Sequence, residues 1–309
     1  MTEASGPLDR VLRQAGGEQT LDALVSLPGA DLTTLLLEAM RRRSLGLRAP
    51  DVLRRYREDR FVAPAGVPFR RLRQAEDRLL AAVPDEFDVL TLAAVVPLGR
   101  HSVIAPVDQN KVVWTIRGSE VAADPTNALA LEAAVRRNDL LAGDPRSADA
   151  VRLAALQRVM RAQQFAGQAR FAHFTLLGVV AAGRDTGDRT FERLHAVEYV
   201  RVAVDAVQAG VGSRAEVRLT VLDARMAPVA DAVRDALAGQ ADVADDPDRA
   251  TGRGYYTGLC FKVFVVDAAE PFEVGDGGFV DWTQNLLANR KERLLITGLG
   301  VDRMALSFN

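Results

Sequence analysis

Residues 277–304 read GGFVDWTQNLLANRKERLLITGLGVDRM, and the second half of this stretch decides how the chain closes. LLITGLG, residues 294–300, is a short apolar run that predicts a last strand. VDRMALSF, residues 301–308, follows directly as a short terminal helix opened by Arg303. Two pieces just upstream, GDGGFVDW (275–282) and GRGYYTG (252–258), are glycine-rich. Such glycines mark tight turns or close backbone approach, and neither piece carries a phosphate-loop or dinucleotide fingerprint.

Outward from this segment, strands and helices are mixed. YYTGLCFKVFVVD (255–267), RAEVRLTVLD (214–223), KVVWTIRG (111–118) and FDVLTLAAVVP (87–97) are predicted strands, the last stopped by Pro97 and Gly99. RFAHFTLLGVVAA (170–182) is another, with Phe171, His173 and Thr175 on one face and Phe174 and Leu176 on the other. Helices are expected over 69–83, 127–137, 190–210 and 226–239, the third ending at Gly210. Strands do not alternate regularly with crossover helices. The expected fold class is therefore α+β, a mostly antiparallel sheet flanked by helices.

The first sixty residues read differently, as amphipathic helices such as LTTLLLEAMRRR (32–43), with Asp31 at its cap, and APDVLRRYREDRF (49–61). VAPAGVP (62–68) has two prolines, a glycine and no periodicity, so the division falls there. Residues 1–62 form an N-terminal helical segment and residues 63–309 the core. The basic runs MRRRSLGLR and RRYREDR read as solvated helix ends, with an RNA or carrier contact as the alternative.

Composition narrows the function. With 48% hydrophobic and 26% charged residues, the 309-residue chain is globular, and a net charge of −2 provides no global field for nucleic acid or an acidic membrane. One cysteine and three scattered histidines cannot build a usual zinc site, so no metal ligands are assigned and a reducing, cytoplasmic setting is expected. No apolar run reaches membrane-spanning length, and the start MTEASGPLDR lacks a leader's basic-then-apolar order. Serine elbows and HExxH motifs are absent. Arg161, ahead of a Gly/Gln loop, and Arg303 are the groups suited to bidentate phosphate contact, and Asp124 stands before a helix start. His173 reads as a core or cavity residue and His195 as one half of a helix-face ion pair.

Taken in order, these pieces resemble the catalytic domain of histidyl-tRNA synthetases, a class II aminoacyl-tRNA synthetase family. Residues 277–304 are similar to its Gly-Gly-x-x-Asp turn, helix, strand and closing Gly-x-Gly-x-[Asp/Glu]-Arg segment. YYTGLCFKV resembles its Tyr-Tyr-Thr-Gly strand, VMRAQQFAGQARFAHFTLLGVVAAG (159–183) its second motif, and VAADPTNALALEAA (121–134) its [Asp/Glu]-x-Thr segment. The strand ending at Pro97 stands in the place of the first motif, which supports dimerisation in the family.

The resemblance covers residues 69–309 and implies ATP with Mg²⁺ as cofactors. It assigns Arg161 to the α-phosphate, Arg303 to the γ-phosphate, and Gln163, Arg170 and Phe174 to the adenine end. It assigns Asp124 and Thr126 to the ends of an amino acid, with Tyr255, Tyr256, Gly278 and Asp281 around its side chain.

Departures from the family are specific. Its Arg-Gly-Leu-Asp before the tyrosine pair reads Thr251, Gly252, Arg253 and Gly254 here, and Gln163 and Gln164 replace a glutamate and an arginine. These changes argue against histidine as the substrate. The chain ends at Asn309, directly after the third motif, so neither an anticodon-binding domain nor ordinary tRNA charging is expected. The resemblance implies a stand-alone, homodimeric paralogue that adenylates an amino acid or similar small carboxylate and passes it to a non-tRNA acceptor, small molecule, protein or carrier. The alternative is a catalytically silent, amino-acid-binding subunit working with a partner enzyme, similar to the regulatory subunit of ATP phosphoribosyltransferase.

Overall fold

An eight-stranded sheet organises most of the chain in the computed structural model, which describes residues 6–163, 171–252, 254–266 and 271–307. In chain order the strands are β1 (Asp88–Val89), β2 (Val95–Pro97), β3 (Ser119–Val121), β4 (Val151–Met160), β5 (His173–Arg184), β6 (Arg214–Val221), β7 (Asp242–Asp245), β8 (Thr257–Val266), β9 (Phe272–Val280) and β10 (Glu292–Gly300). The large sheet runs β1-β4-β5-β10-β9-β8-β6-β7, and β2 pairs with β3 apart from it. The six central strands are antiparallel throughout; only the edge pairs β1–β4 and β6–β7 are parallel. The fold is the mostly antiparallel α+β class expected.

Helices cover both faces, and side-chain alternation along β5 divides the core between them. Val180 and Ala182 pack with Leu294 and Ile296 of β10 against Leu129, Ala130 and Ala133 of α6 (Pro125–Gly143). Leu177, Val179 and Ala181 face α7 (Thr190–Val211), which packs with α5 (Phe69–Ala81), α8 (Ala227–Leu237) and α10 (Val301–Ser307). Burial on both sides explains why β5 reads as a continuous apolar run. Beneath α6, Arg137 and Glu292 meet in the sheet–helix seam, both fully buried, at 2.8 and 3.0 Å, while Arg137 also donates to the carbonyls of Ser147 and Asp149.

The chain divides into two compact units: residues 60–113 with 120–309, which hold the large sheet, and residues up to Asp59 with Trp114–Ser119. The second unit contains α1 (Pro7–Gln14), α2 (Glu18–Ser26), α3 (Gly29–Leu45) and α4 (Ala49–Glu58), none of which has a buried residue. In the basic runs Arg41 and Arg42 pair with Glu38, and Arg54 lies between Asp51 and Glu58.

Three local expectations are corrected and one is narrowed. Residues 87–97 are two short strands, because the chain leaves β4 after Leu90 donates to Ala154 and Ala94 then accepts from Ala122. Residues 111–118 are no strand: Thr115 N donates to Ser119 O across a turn in which Gly118 has φ +66°. The glycines of 275–280 mark close backbone approach and not turns, since the segment is strand and belongs to β9. Helix α7 passes Gly210, where a Cβ would lie 2.8 Å from Leu79, and stops at Gly212, whose φ of +71° is the left-handed cap.

Removing one partner of a buried pair strands the other's charge. Glu292→Ala is expected to lower the unfolding free energy of the core by about 3–5 kcal/mol in urea titrations, far more than Glu38→Ala on the exposed α3.

Candidate functional site

The site is built on missing side chains. Gly178 of β5, Gly298 of β10, Asp276 of β9 and Lys262 of β8 are successive partners in one row across the sheet. A Cβ on Gly178 would run into Pro125 at 2.7 Å, so the start of α6 rests on that glycine. A Cβ on Gly298 would meet nothing within 4 Å, and there the sheet is bare. A cavity of about 360 Å³ stands over this floor, walled by Asp124 and Arg161 at one side and by Asp302 and Arg303 at another. Gly275, Gly277 and Gly278 have no room for a Cβ against neighbouring strands and side chains, so they keep β9 pressed flat.

Arg161 and Arg303, far apart in sequence, line this one cavity. Arg161 donates through Nε to the Ala123 carbonyl at 2.8 Å and through Nη2 to Asp124 Oδ2 at 3.0 Å, with its guanidinium 5.2 Å from the Phe174 ring centroid. Arg303 donates to the Glu273 carbonyl at 3.1 Å. Beside it the buried Asp302 accepts from the Thr175 amide at 2.6 Å, fixing α10 to β5.

Asp124 caps α6, accepting from Thr126 N at 2.8 Å and Thr126 Oγ1 at 2.7 Å. Its loop is held from behind by a buried group that sequence reasoning missed. His101 Nδ1 donates to Glu120 Oε2 at 2.5 Å, and its Nε2 accepts from Ala123 N at 3.1 Å and Arg100 Nη2 at 2.8 Å. Two donors on one ring nitrogen require the neutral tautomer. Burial, reinforced by Arg100, holds the imidazole pKa below its ordinary value, and burial lowers Arg100 itself to about 10 against the pull of Asp124 and Glu120. Arg100 Nε and Nη1 have no partner among the described residues.

At the other end, Arg249 donates to the Thr251 and Phe261 carbonyls and to Asp276 Oδ2 at 2.8 Å. Tyr256 also hydrogen-bonds Asp276, whose pKa is raised by the burial of its surroundings against the opposing charge of Arg249. Lys262 pairs with Glu273 at 2.7 Å. Tyr255 packs edge-on against Tyr256 and Trp282, and burial, then the charges of Asp124 and Asp276, raise its phenol well above the ordinary range.

Of the residues singled out from sequence, Asp124, Arg161, Phe174 and Arg303 line the cavity. Thr126 and Tyr256 are buried behind its wall, and Gly278 is packed under Tyr256 and Cys260. Gln163 is exposed, with its carbonyl 3.5 Å from Arg60, and Asp281 is exposed at the start of α9 (Trp282–Leu286). Arg170 lies outside the described residues, as do Gln164 and Arg253. His173 accepts from Arg158 at 2.8 Å, and His195 pairs with Glu198 at 2.7 Å; neither lines the cavity.

No family model and no curated protein matches the sequence. Solved structures match the fold. An ATP phosphoribosyltransferase regulatory subunit/histidyl-tRNA synthetase from Bacillus halodurans aligns over 81% of this chain and 82% of its own, with 14% identity and a TM-score of 0.62. Apo S. aureus histidyl-tRNA synthetase aligns over 79% and 69%, with 14% identity and a TM-score of 0.59. A histidine–tRNA ligase subunit from Alicyclobacillus acidocaldarius aligns over 79% and 94%, with 15% identity and a TM-score of 0.57. The fold is that of the class II synthetase-like catalytic core. A pyrrolysyl-tRNA synthetase from Desulfitobacterium hafniense also aligns, over 82% of this chain and 70% of its own, with 15% identity and a TM-score of 0.51.

A histidine whose folded-state pKa is depressed contributes stability that is full above its unfolded value near 6.5 and is lost as pH falls below it. Wild type is therefore expected to lose stability relative to His101→Gln on acidification from about pH 7 to 5. Urea midpoints at several pH values would read this as a narrowing gap between the two proteins.

Proposed function

We propose that the chain binds ATP with Mg²⁺ in the cavity over Gly298 and activates an amino acid or related small carboxylate by adenylation, for transfer to a non-tRNA acceptor. The observation that carries this reading is the convergence of Arg161 and Arg303 on one cavity whose floor lacks side chains. The residues fit the nucleotide. Arg161 is held by a carbonyl and a carboxylate beside Phe174; as the family resemblance implies, its guanidinium would hold the α-phosphate and the ring would carry adenine. Arg303 meets the γ-phosphate. Bound ATP would supply the phosphorus that the substrate carboxylate attacks, with pyrophosphate leaving, and Mg²⁺ would supply charge neutralisation for the phosphates. The chain's own residues orient and neutralise, and no protein nucleophile is needed.

Asp124, fixed by Thr126 and by the His101–Glu120 pair behind it, receives the substrate ammonium. We place the protein in the cytoplasm as a homodimer acting on a small-molecule, protein or carrier acceptor. The division into residues 1–62 and 63–309 belongs to the same reading, with the N-terminal segment outside the chemistry. A second reading, a silent amino-acid-binding regulatory subunit, draws on Thr251 at the place of the family's arginine and on the existing tie of Arg161 to Asp124.

Pyrophosphate exchange across the amino acids separates the two: exchange with one or a few supports adenylation, and amino-acid binding without exchange supports regulation. Each arginine contributes charge-assisted hydrogen bonds worth about 1.5–3 kcal/mol, so Arg161→Met and Arg303→Met should each weaken ATP binding about 10–100-fold. Gly298→Leu has open space for its side chain and is expected to abolish ATP binding in calorimetry with little change in melting temperature.

A further inference from the structure

Asp276 is a carboxylate in a cavity whose rim is suited to phosphate, and its placement calls for a reason. Three residues along β9 from Glu273, whose carbonyl anchors Arg303, it stands about 10 Å from that anchor, away from the γ-phosphate end. Its charge is felt at Tyr255 and Tyr256, and the charge of Asp124 reaches both of those phenols and Asp276 itself, so it belongs to the amino-acid end. Arg249, 2% exposed, grips Oδ2 from behind at 2.8 Å, and Tyr256 adds a second hold. Lys262, its register partner on one side, gives its charge to Glu273. Gly298, its register partner on the other side, leaves open space. The Asp276 side chain thus lines the cavity and stays 43% exposed although fixed from the rear.

From this geometry we infer that Asp276 is a specificity-determining residue, accepting a hydrogen bond from a nitrogen donor at the end of the substrate side chain. The inference rests on the ATP and amino-acid reading above and extends it to the substrate class. A fixed acceptor of this kind favours an amine, amide or ring N–H and rejects an isostere without one, because the acceptor is then desolvated and unpaired. Arg249 offsets the aspartate's charge, so the donor need not be a cation. A side chain ending in a carboxylate is repelled. Arg249 acts through Asp276 and is a positioning residue.

The test is calorimetry on the full chain saturated with a non-hydrolysable ATP analogue and Mg²⁺. L-Lysine, L-glutamine and L-histidine are titrated against L-norleucine and L-glutamate. At least one nitrogen-bearing side chain should bind about tenfold or more tighter than norleucine and glutamate. Asp276→Ala should remove that preference without changing affinity for the analogue. Asp276→Asn, of the same shape, keeps the fold and should admit L-glutamate.

Equal binding of norleucine, binding of no amino acid, a preference that survives Asp276→Ala, or weaker analogue binding in that variant would each overturn the inference. Failure of the analogue to bind wild type would strike the ATP reading instead. The same amino-acid titrations without nucleotide then still decide the role of Asp276.

Discussion

The carboxylate of Asp124 is the joint on which the site depends. One oxygen closes the first turn of α6, taking both the amide and the hydroxyl of Thr126, and the other holds Arg161. Helix α6 is seated on the sheet through Pro125 over Gly178 at this end and through the buried Arg137–Glu292 pair further along. The guanidinium that faces the cavity is therefore positioned by the same contacts that fix the helix to β5 and β10. Without that carboxylate Arg161 would keep only its bond to the Ala123 carbonyl, and the wall on this side of the cavity would lose its second hold on the guanidinium.

Behind the joint lies a layer that does not line this cavity. Glu120 is pushed up by burial, but the hydrogen bonds from Gln109, His101 and the Gly99 amide together bring its pKa below the ordinary value. It stays ionised and keeps the His101 proton on Nδ1, which leaves Nε2 free to accept from the Ala123 amide. Such orientation by outer partners costs stability, and the Arg100 donors that find no partner among the described residues are a sign of that cost.

Much of this was legible in the order of the residues. The apolar run 294–300, its glycines and the arginine that follows specify β10 and the opening of α10, because strand, close approach and helix start are all local events. Arg161, Arg303 and Asp124 could be named for the same reason, each beside a recognisable punctuation of the chain. Asp276 and Arg249 could not. Their meeting needs the β8–β9 register, and in sequence Asp276 is one acid among glycines that read as tight turns or close backbone approach. The single signal was its isolation, a lone charge amid residues chosen for having no side chain. Gly210 misled in the opposite sense, since close contact with Leu79, not helix termination, is what requires it.

The four N-terminal helices, 8, 9, 17 and 10 residues long and without a buried side chain, have a thermodynamic consequence. The three shorter ones are of a length that is marginal in water, and side-chain pairs within any of the four add only about 0.2–0.5 kcal/mol each. Their helical order is governed by coil–helix equilibrium, while the sheet melts as a cooperative whole. Amide hydrogens of α1–α4 should thus exchange with solvent orders of magnitude faster than those of β5 and β10, and one melting temperature cannot describe the whole polypeptide.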